Sequence, residues 1–185
     1  WLIIFITSSL QIQQIILQTG ADKVDVIAHS MGGLIAKQYV AQNPASHNVG
    51  KAVFVGVPNT GAPKSVKTLL EGDNLGMFFV SQTEIKKISE NMPAIYDLLP
   101  SQQYYNTKGS YVKVIDQGLL SVTSKDLTYS ETKTFLTDDN NLNTIAVTNA
   151  DILHSQTFDN FDLRTAGVDL YAIDGCKAGT LGKIT

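Results

Sequence analysis

Val24-Asp25-Val26-Ile27-Ala28-His29-Ser30-Met31-Gly32-Gly33 is the stretch that decides the fold. Val24 to Ala28 is β-branched and apolar except at Asp25, the composition of a strand in a parallel sheet. Beyond the serine, Ile35 with Tyr39 and Ala36 with Val40 recur at i, i+4, the spacing of one helix face, and Asn43-Pro44 stops the helix. A serine between a buried strand and a helix, with small residues two before and two after it (Ala28 and Gly32), spells a nucleophile elbow. Such a turn holds its serine in strained backbone, so bulky neighbours at those positions would collide. The free N–H groups of the following helix, and the positive end of its dipole, face the place where an oxyanion develops. The pattern makes Ser30 the candidate nucleophile and the Met31 backbone N–H a candidate oxyanion donor. The competing reading is a buried Ser-Gly-Gly turn with no chemistry.

The rest of the composition narrows the class. A length of 185 residues is enough for one domain with a sizeable core. The net charge is −3 and no Lys/Arg stripe forms, so no nucleic-acid partner is expected. The lone cysteine, Cys176, excludes an internal disulfide framework and is too little for a cysteine metal site. It reads as a small buried residue near a strand end. Trp1-Leu2-Ile3-Ile4-Phe5-Ile6 is strongly apolar but too short for a membrane span, and it lacks the basic start of a signal peptide. It reads as a buried strand or a helix start, and the chain as an excerpt of a longer protein.

Along the chain, Ser8 or Ser9 is placed to cap a helix running to about Gln18, with Ile12, Ile15 and Ile16 inward and Thr19-Gly20 closing it. Lys51 to Val57 is a second near-continuous apolar run, ended by Pro58-Asn59-Thr60-Gly61-Ala62-Pro63. Helix and strand alternate with short joints, the signature of a parallel α/β sheet. From Pro63 the periodicity weakens. Short helices are predicted at 66–70, 84–89 and 94–99, strand-like pieces at 111–115 and 132–136, and a buried strand at 168–173. The expected organisation is an α/β core over 1–62, a mixed cap or lid insertion over 63–166, and a return strand of the core over 167–185.

Four stretches carry a family resemblance: Thr19 to Leu34 around the serine, Val55-Gly-Val-Pro-Asn-Thr-Gly-Ala-Pro63, Asn91-Met-Pro-Ala-Ile-Tyr-Asp-Leu-Leu-Pro-Ser101, and Leu170-Tyr-Ala-Ile-Asp-Gly175. The chain resembles α/β-hydrolase lipases and esterases, and within them the bacterial relatives of lecithin:cholesterol acyltransferase and the GPI inositol-deacylase-like esterases. The resemblance implies a partial α/β-hydrolase fold with a cap insertion. It implies a serine ester hydrolase of lipase or carboxylesterase type, working through an acyl-enzyme on an ester or lipid substrate. It implies no metal or organic cofactor, transient lipid-surface contact through the cap, and an extracellular or cell-envelope location. In the order Ser, Asp, His, the acid and the histidine are expected past Thr185, and the second oxyanion donor before Trp1. Without them Ser30 is not activated, and the chain alone is expected to be inactive. Two alternatives share these residues: an acyltransferase with the same nucleophile, and a hydrolase-like binding module without catalysis.

Other candidates stay open at this point. His29 either packs beside the turn or lines the substrate site. His154, with Asp151, Asp159 and Asp162 nearby in sequence, offers a base and orienters, but it precedes the return strand, where the family base does not lie. His47 follows the helix stop and reads as solvated. Asp174, at the end of the return strand, is a candidate acid or a turn-capping residue. Asp138-Asp139-Asn140-Asn141-Leu142-Asn143 is rich in oxygen but lacks calcium-loop spacing and reads as a hydrated turn. Met77-Phe78-Phe79 and Tyr104-Tyr105 either line an acyl cleft or form plain core.

Overall fold

A computed structural model describes residues 2–73, 81–118, 121–176 and 179–185, with side chains from residue 9 onward. The elements in chain order are α1 (Leu2–Thr19), β1 (Val24–His29), α2 (Met31–Gln42), β2 (Val49–Val55), α3 (Lys64–Glu71), α4 (Gln82–Ser89), α5 (Pro93–Tyr96), α6 (Gln102–Lys108), β3 (Lys113–Gln117), β4 (Val122–Asp126), α7 (Tyr129–Thr134), α8 (Thr144–Leu153) and β5 (Asp169–Ile173). Single π turns follow α7 at Phe135–Asp139 and α8 at His154–Phe158, and a 3₁₀ turn spans Leu163–Ala166. The chain divides into two compact units, Trp1–Asn59 with Gln156–Gly179, and Thr60–Ser155 with Thr180–Thr185.

The first unit is a three-stranded parallel sheet in the order β1-β2-β5. Its register sorts the side chains into rows. Val26-Ala52-Leu170 and Ala28-Phe54-Ala172 share one face. Against that face pack Ile12 of α1 and Ala36, Tyr39 and Val40 of α2, closed at one end by Leu163 and Val168. The opposite face carries a charged row, Asp25-Lys51-Asp169, then Ile27-Val53-Tyr171 and His29-Val55-Ile173. The apolar runs read from sequence therefore alternate in burial, since Ile27 is 79% exposed while Ala28 is 7% exposed. No helix among the described residues is long and apolar enough to cross a membrane.

Helix α1 differs from its predicted start. Ser8 and Ser9 lie inside it, not at its start, because the helix already begins at Leu2 and tolerates interior hydroxyls. Ile12 and Ile16 are partly buried, whereas Ile15 is 47% exposed and leaves the predicted inward face. Its end is as expected: Gly20 takes φ 71 and its N–H reaches the Ile16 carbonyl at 2.9 Å. Cys176 is exposed, not buried, because β5 ends at Ile173 and Asp174 to Cys176 are all exposed.

The second unit buries Val66 and Leu69 of α3, Tyr96, Tyr111, Leu136 and Val147 in one core. Strands β3 and β4 form an antiparallel ribbon, and Val112 bridges to Ile184. The strand predicted at 132–136 is helix. Thr128 and Glu131 build a capping box there, with the Glu131 N–H on the Thr128 hydroxyl at 3.2 Å and the Thr128 N–H on the Glu131 carboxylate at 2.9 Å. That two-way cap outweighs the strand preference of the β-branched threonines.

Two stretches that carry the family resemblance meet inside this unit. The Ala62 N–H donates to the Leu98 carbonyl at 2.8 Å, and the Ser101 N–H to the Thr60 carbonyl at 3.0 Å. The Ser65 hydroxyl adds bonds to the Ala62 and Leu98 carbonyls at 2.8 and 3.0 Å. The approach is close enough to require glycine. Gly61 sits at φ 88, and a Cβ there would fall 2.3 Å from the Leu99 carbonyl oxygen. Gly167 has a similar φ of 78 but open space around it. Gly167→Ala is therefore expected to cost about 1–2 kcal/mol for the left-handed backbone alone. Gly61→Ala should cost at least ~2 kcal/mol more from the backbone collision. Urea unfolding of both variants measures the difference, and equal losses would contradict it.

Candidate functional site

Strand β1 carries its ladder one residue past its end, where the Ser30 N–H donates to the Val55 carbonyl at 2.9 Å. The chain then breaks sharply. Ser30 adopts φ 52 and ψ −130, and α2 begins at the next residue. A non-glycine residue in such a conformation costs on the order of 1–3 kcal/mol and persists only when its surroundings impose it. Here the sheet ladder fixes one side, and on the other the Gly33 N–H closes on the Ser30 carbonyl at 3.0 Å. Ser30 is half-buried. The Met31 N–H lies in the first turn of α2, at the positive end of the helix dipole.

The steric demand falls elsewhere than the sequence indicated. Ala28 is buried, but a Cβ on Gly32 would meet nothing within 4 Å. Gly33 is the crowded position, where a Cβ would lie 2.2 Å from Val57 Cγ2. The doubled glycine was the available signal, and spacing from the serine pointed to the wrong member of the pair.

Asp174 follows β5 directly and is exposed. The Gly56 N–H donates to the Ile173 carbonyl at 2.9 Å, so Ser30, Gly56 and Asp174 follow one another across the carboxyl end of the sheet. With β2 between them, Ser30 and Asp174 are two strand spacings apart, about 10 Å. This is the edge of a parallel sheet where ligands gather. His29 is exposed on the face with Val55 and Ile173, opposite to Ala28. Met77, Phe78 and Phe79 lie outside the described residues. A cavity of about 370 Å³ sits between α1, α2 and the sheet, with Ala28 and Gly32 on its wall, but Ser30 does not line it.

The remaining histidines have structural partners. His47 is buried, contrary to its solvated reading. Its Nδ1 accepts the Val49 N–H at 2.9 Å and its Nε2 meets the Ala166 carbonyl at 3.1 Å, so Nε2 is the donor of the pair. It is buried because it pins the start of β2 to the 3₁₀ turn before β5. His154 is buried in the second unit with Nε2 2.9 Å from the Asp97 carbonyl oxygen. Two of the three acids near it in sequence are held by other partners. Asp151 takes the Tyr129 hydroxyl at 2.5 Å and Lys133 at 2.7 Å, and Asp162 pairs with Arg164 at 2.6 Å. Asp138 and Asp139 lie in a π turn, and among the described residues no cluster of three His, Cys, Asp or Glu could hold a metal.

One buried cation was missed by the sequence reading. Lys37 of α2 is 9% exposed and donates to the Phe158 carbonyl at 2.5 Å. Burial pushes its ammonium pKa down, opposed by Asp159 and Asp162. It shares a helix side with the buried Gly33 and Leu34, four and three residues earlier, and lies away from the Ile35–Tyr39 face that the sequence singled out, so the period read there gave no sign of it.

Comparison with known proteins agrees with this architecture. The family model described as lecithin:cholesterol acyltransferase matches residues 7–166. The curated protein "Phospholipase A(1) LCAT3" of Arabidopsis thaliana is 27% identical over 105 residues, 52% of this chain and 24% of that protein. A solved structure, "The crystal structure of Tle4-Tli4 complex", superposes with a TM-score of 0.53 at 16% identity, covering 88% of this chain and 39% of that one. The chain thus spans about a quarter of the curated relative's length. The likeness to the solved structure establishes the fold, a partial α/β-hydrolase-like one.

Asp97 contributes a pH dependence to the stability of the second unit. It is 5% exposed, its Oδ2 has no hydrogen-bond partner, and burial pushes its carboxyl up from 3.8 to about 6 while the nearby His154 pulls it down. Between those two values the folded protein binds more protons than the unfolded one, so stability falls as pH rises through the window. The shift corresponds to at most ~3 kcal/mol. Asp97→Asn is expected to recover on the order of 1–3 kcal/mol at pH 8 and nothing at pH 3, measured by urea unfolding across pH. A gain that does not vary with pH would contradict the assignment.

Proposed function

Because the chain belongs to the lecithin:cholesterol acyltransferase family, we propose that it carries the nucleophile region of an enzyme that cleaves or transfers lipid acyl esters through Ser30. The observation that supports this reading best is Ser30 itself, held at φ 52 and ψ −130 on the joint between a parallel strand and a helix. Strain of this kind has no use in a plain turn, where a glycine would remove it.

In the proposed reaction Ser30 Oγ attacks the ester carbonyl carbon and gives its proton to a histidine base. The carbonyl oxygen becomes an oxyanion, held in part by the Met31 N–H at the start of α2. Collapse breaks the bond to the leaving alcohol, which takes the proton from the histidine and departs, leaving an acyl-serine. Water or a second alcohol then attacks the acyl carbon, its proton passing to the histidine; the acyl–Oγ bond breaks, the histidine returns the proton to Ser30 Oγ, and the acid or new ester departs. Hydrolysis and transfer differ only in that last acceptor. Both stay in the reading, since the family is described by an acyltransferase and the curated relative by a phospholipase.

His47 and His154 are committed to carbonyl partners, so the proposal assigns the base to a part of the protein outside these residues. Asp174 is the candidate orienting acid within the chain: a gap of about 10 Å from Ser30 leaves room for an imidazole between them. His29 is proposed to line the substrate side of the turn.

A fluorophosphonate probe is expected to label the intact protein at Ser30, and Ser30→Ala to remove the label. The isolated 185-residue chain should label at least ~10²-fold more slowly, for want of the base. Labelling that survives Ser30→Ala would overturn the assignment. Adding a competing alcohol to an ester assay then separates the two acceptors by product.

A further inference from the structure

We propose that Val57 is a positioning residue for Ser30, its isopropyl group acting as a stop against Gly33 in the first turn of α2; this rests on the reading of Ser30 as nucleophile. The contact is unusually close. A Cβ on Gly33 would lie 2.2, 2.6 and 3.0 Å from Val57 Cγ2, Cγ1 and Cβ, whereas ordinary contact begins near 3.4 Å. Only the bare Cα of a glycine lets α2 settle this near to the chain beyond β2. Gly32, one residue earlier, has no such neighbour, so the closeness belongs to one position and not to the whole turn.

Val57 is well placed to serve as a stop because its own backbone is fixed. Gly56 takes φ 56 while its N–H is tied to the Ile173 carbonyl at 2.9 Å. Pro58 restricts the residue before it to extended backbone, and the Asn59 N–H returns to the Val57 carbonyl at 2.9 Å. The side chain is β-branched and has few rotamers to yield with. Gly33 in turn is bonded to the Ser30 carbonyl, so any movement of the first turn of α2 is passed to Ser30 and to the Met31 N–H. This gives the Val55-Gly56-Val57-Pro58 stretch a role the sequence alone did not supply: it ends β2 and sets the height of the neighbouring helix.

A methyl group on Gly33 has to push α2 or Val57 by more than 1 Å to restore normal contact. Misplacement of that size in a catalytic constellation costs about 10²-fold in rate. The test is a double-mutant cycle on the intact protein, read by fluorophosphonate labelling at increasing probe concentration. Gly33→Ala is expected to lower the maximal labelling rate about 10²-fold with the half-saturating probe concentration changed less than threefold. Adding Val57→Ala removes both Cγ atoms and should return at least tenfold of that loss. A purely structural role predicts lower stability without rescue of the rate. Thermal unfolding and circular dichroism of each variant confirm that folded protein is compared. Failure of Val57→Ala to rescue Gly33→Ala overturns the proposal. If wild type itself does not label, the nucleophile reading has failed, and the amide NMR signals of Ser30 and Met31 decide the contact. They should move in Gly33→Ala and return in the double variant, and no return overturns it.

Discussion

The hydrogen bond from the Ser30 N–H to the Val55 carbonyl, 2.9 Å long, is the constraint on which the candidate site depends. It keeps the serine backbone in the sheet ladder up to the last atom before the chain reverses into α2. A residue so tied cannot relax its φ of 52 by drifting away from β2. The energy comes from burial behind it: Phe54 and Ala28 pack under α2 on the covered face, and a buried aromatic side chain contributes about 2–3 kcal/mol. That is enough to offset the cost of one strained residue. Local strain, sheet register and helix packing are thus one device, and it sets the first turn of α2 directly behind Ser30.

Buried polar groups fasten the rest. Lys37 holds the Phe158 carbonyl and His47 holds the Ala166 carbonyl, so two polar side chains secure both flanks of the segment that returns to the sheet as β5. The second unit does the same with His154 and Asp97. Buried groups that gain a partner contribute modestly, while losing one partner is costly, so such fasteners specify position more than they add stability. Asp97 is the exception. Its unpartnered oxygen makes it a place where stability is given up.

Much of this was legible in the sequence. The strand–serine–helix joint, the parallel pairing of 51–57 with its neighbours and the return strand near 168–173 follow from period and composition, although the return strand, expected to be buried, is mostly exposed because only one face of the sheet is covered. What escaped has a physical reason in each case. At 132–136 a local cap overrode strand preference. His47 and Lys37 are buried by bonds to carbonyls distant in sequence, which no window can register. Gly33 was passed over for Gly32 because the atoms that crowd it belong to Val57, twenty-four residues on, and closeness between distant segments leaves no mark on either one.

The proposal that Ser30 is an acyl-transferring nucleophile is tested most directly by covalent chemistry. The intact protein would be mixed with a slowly deacylated ester, quenched in acid within seconds, digested and sequenced by mass spectrometry. The account predicts one acyl mass on Ser30, lost on longer incubation as product appears. Turnover accompanied by an acyl group on another residue, or by none on Ser30 under conditions that slow deacylation, would contradict it.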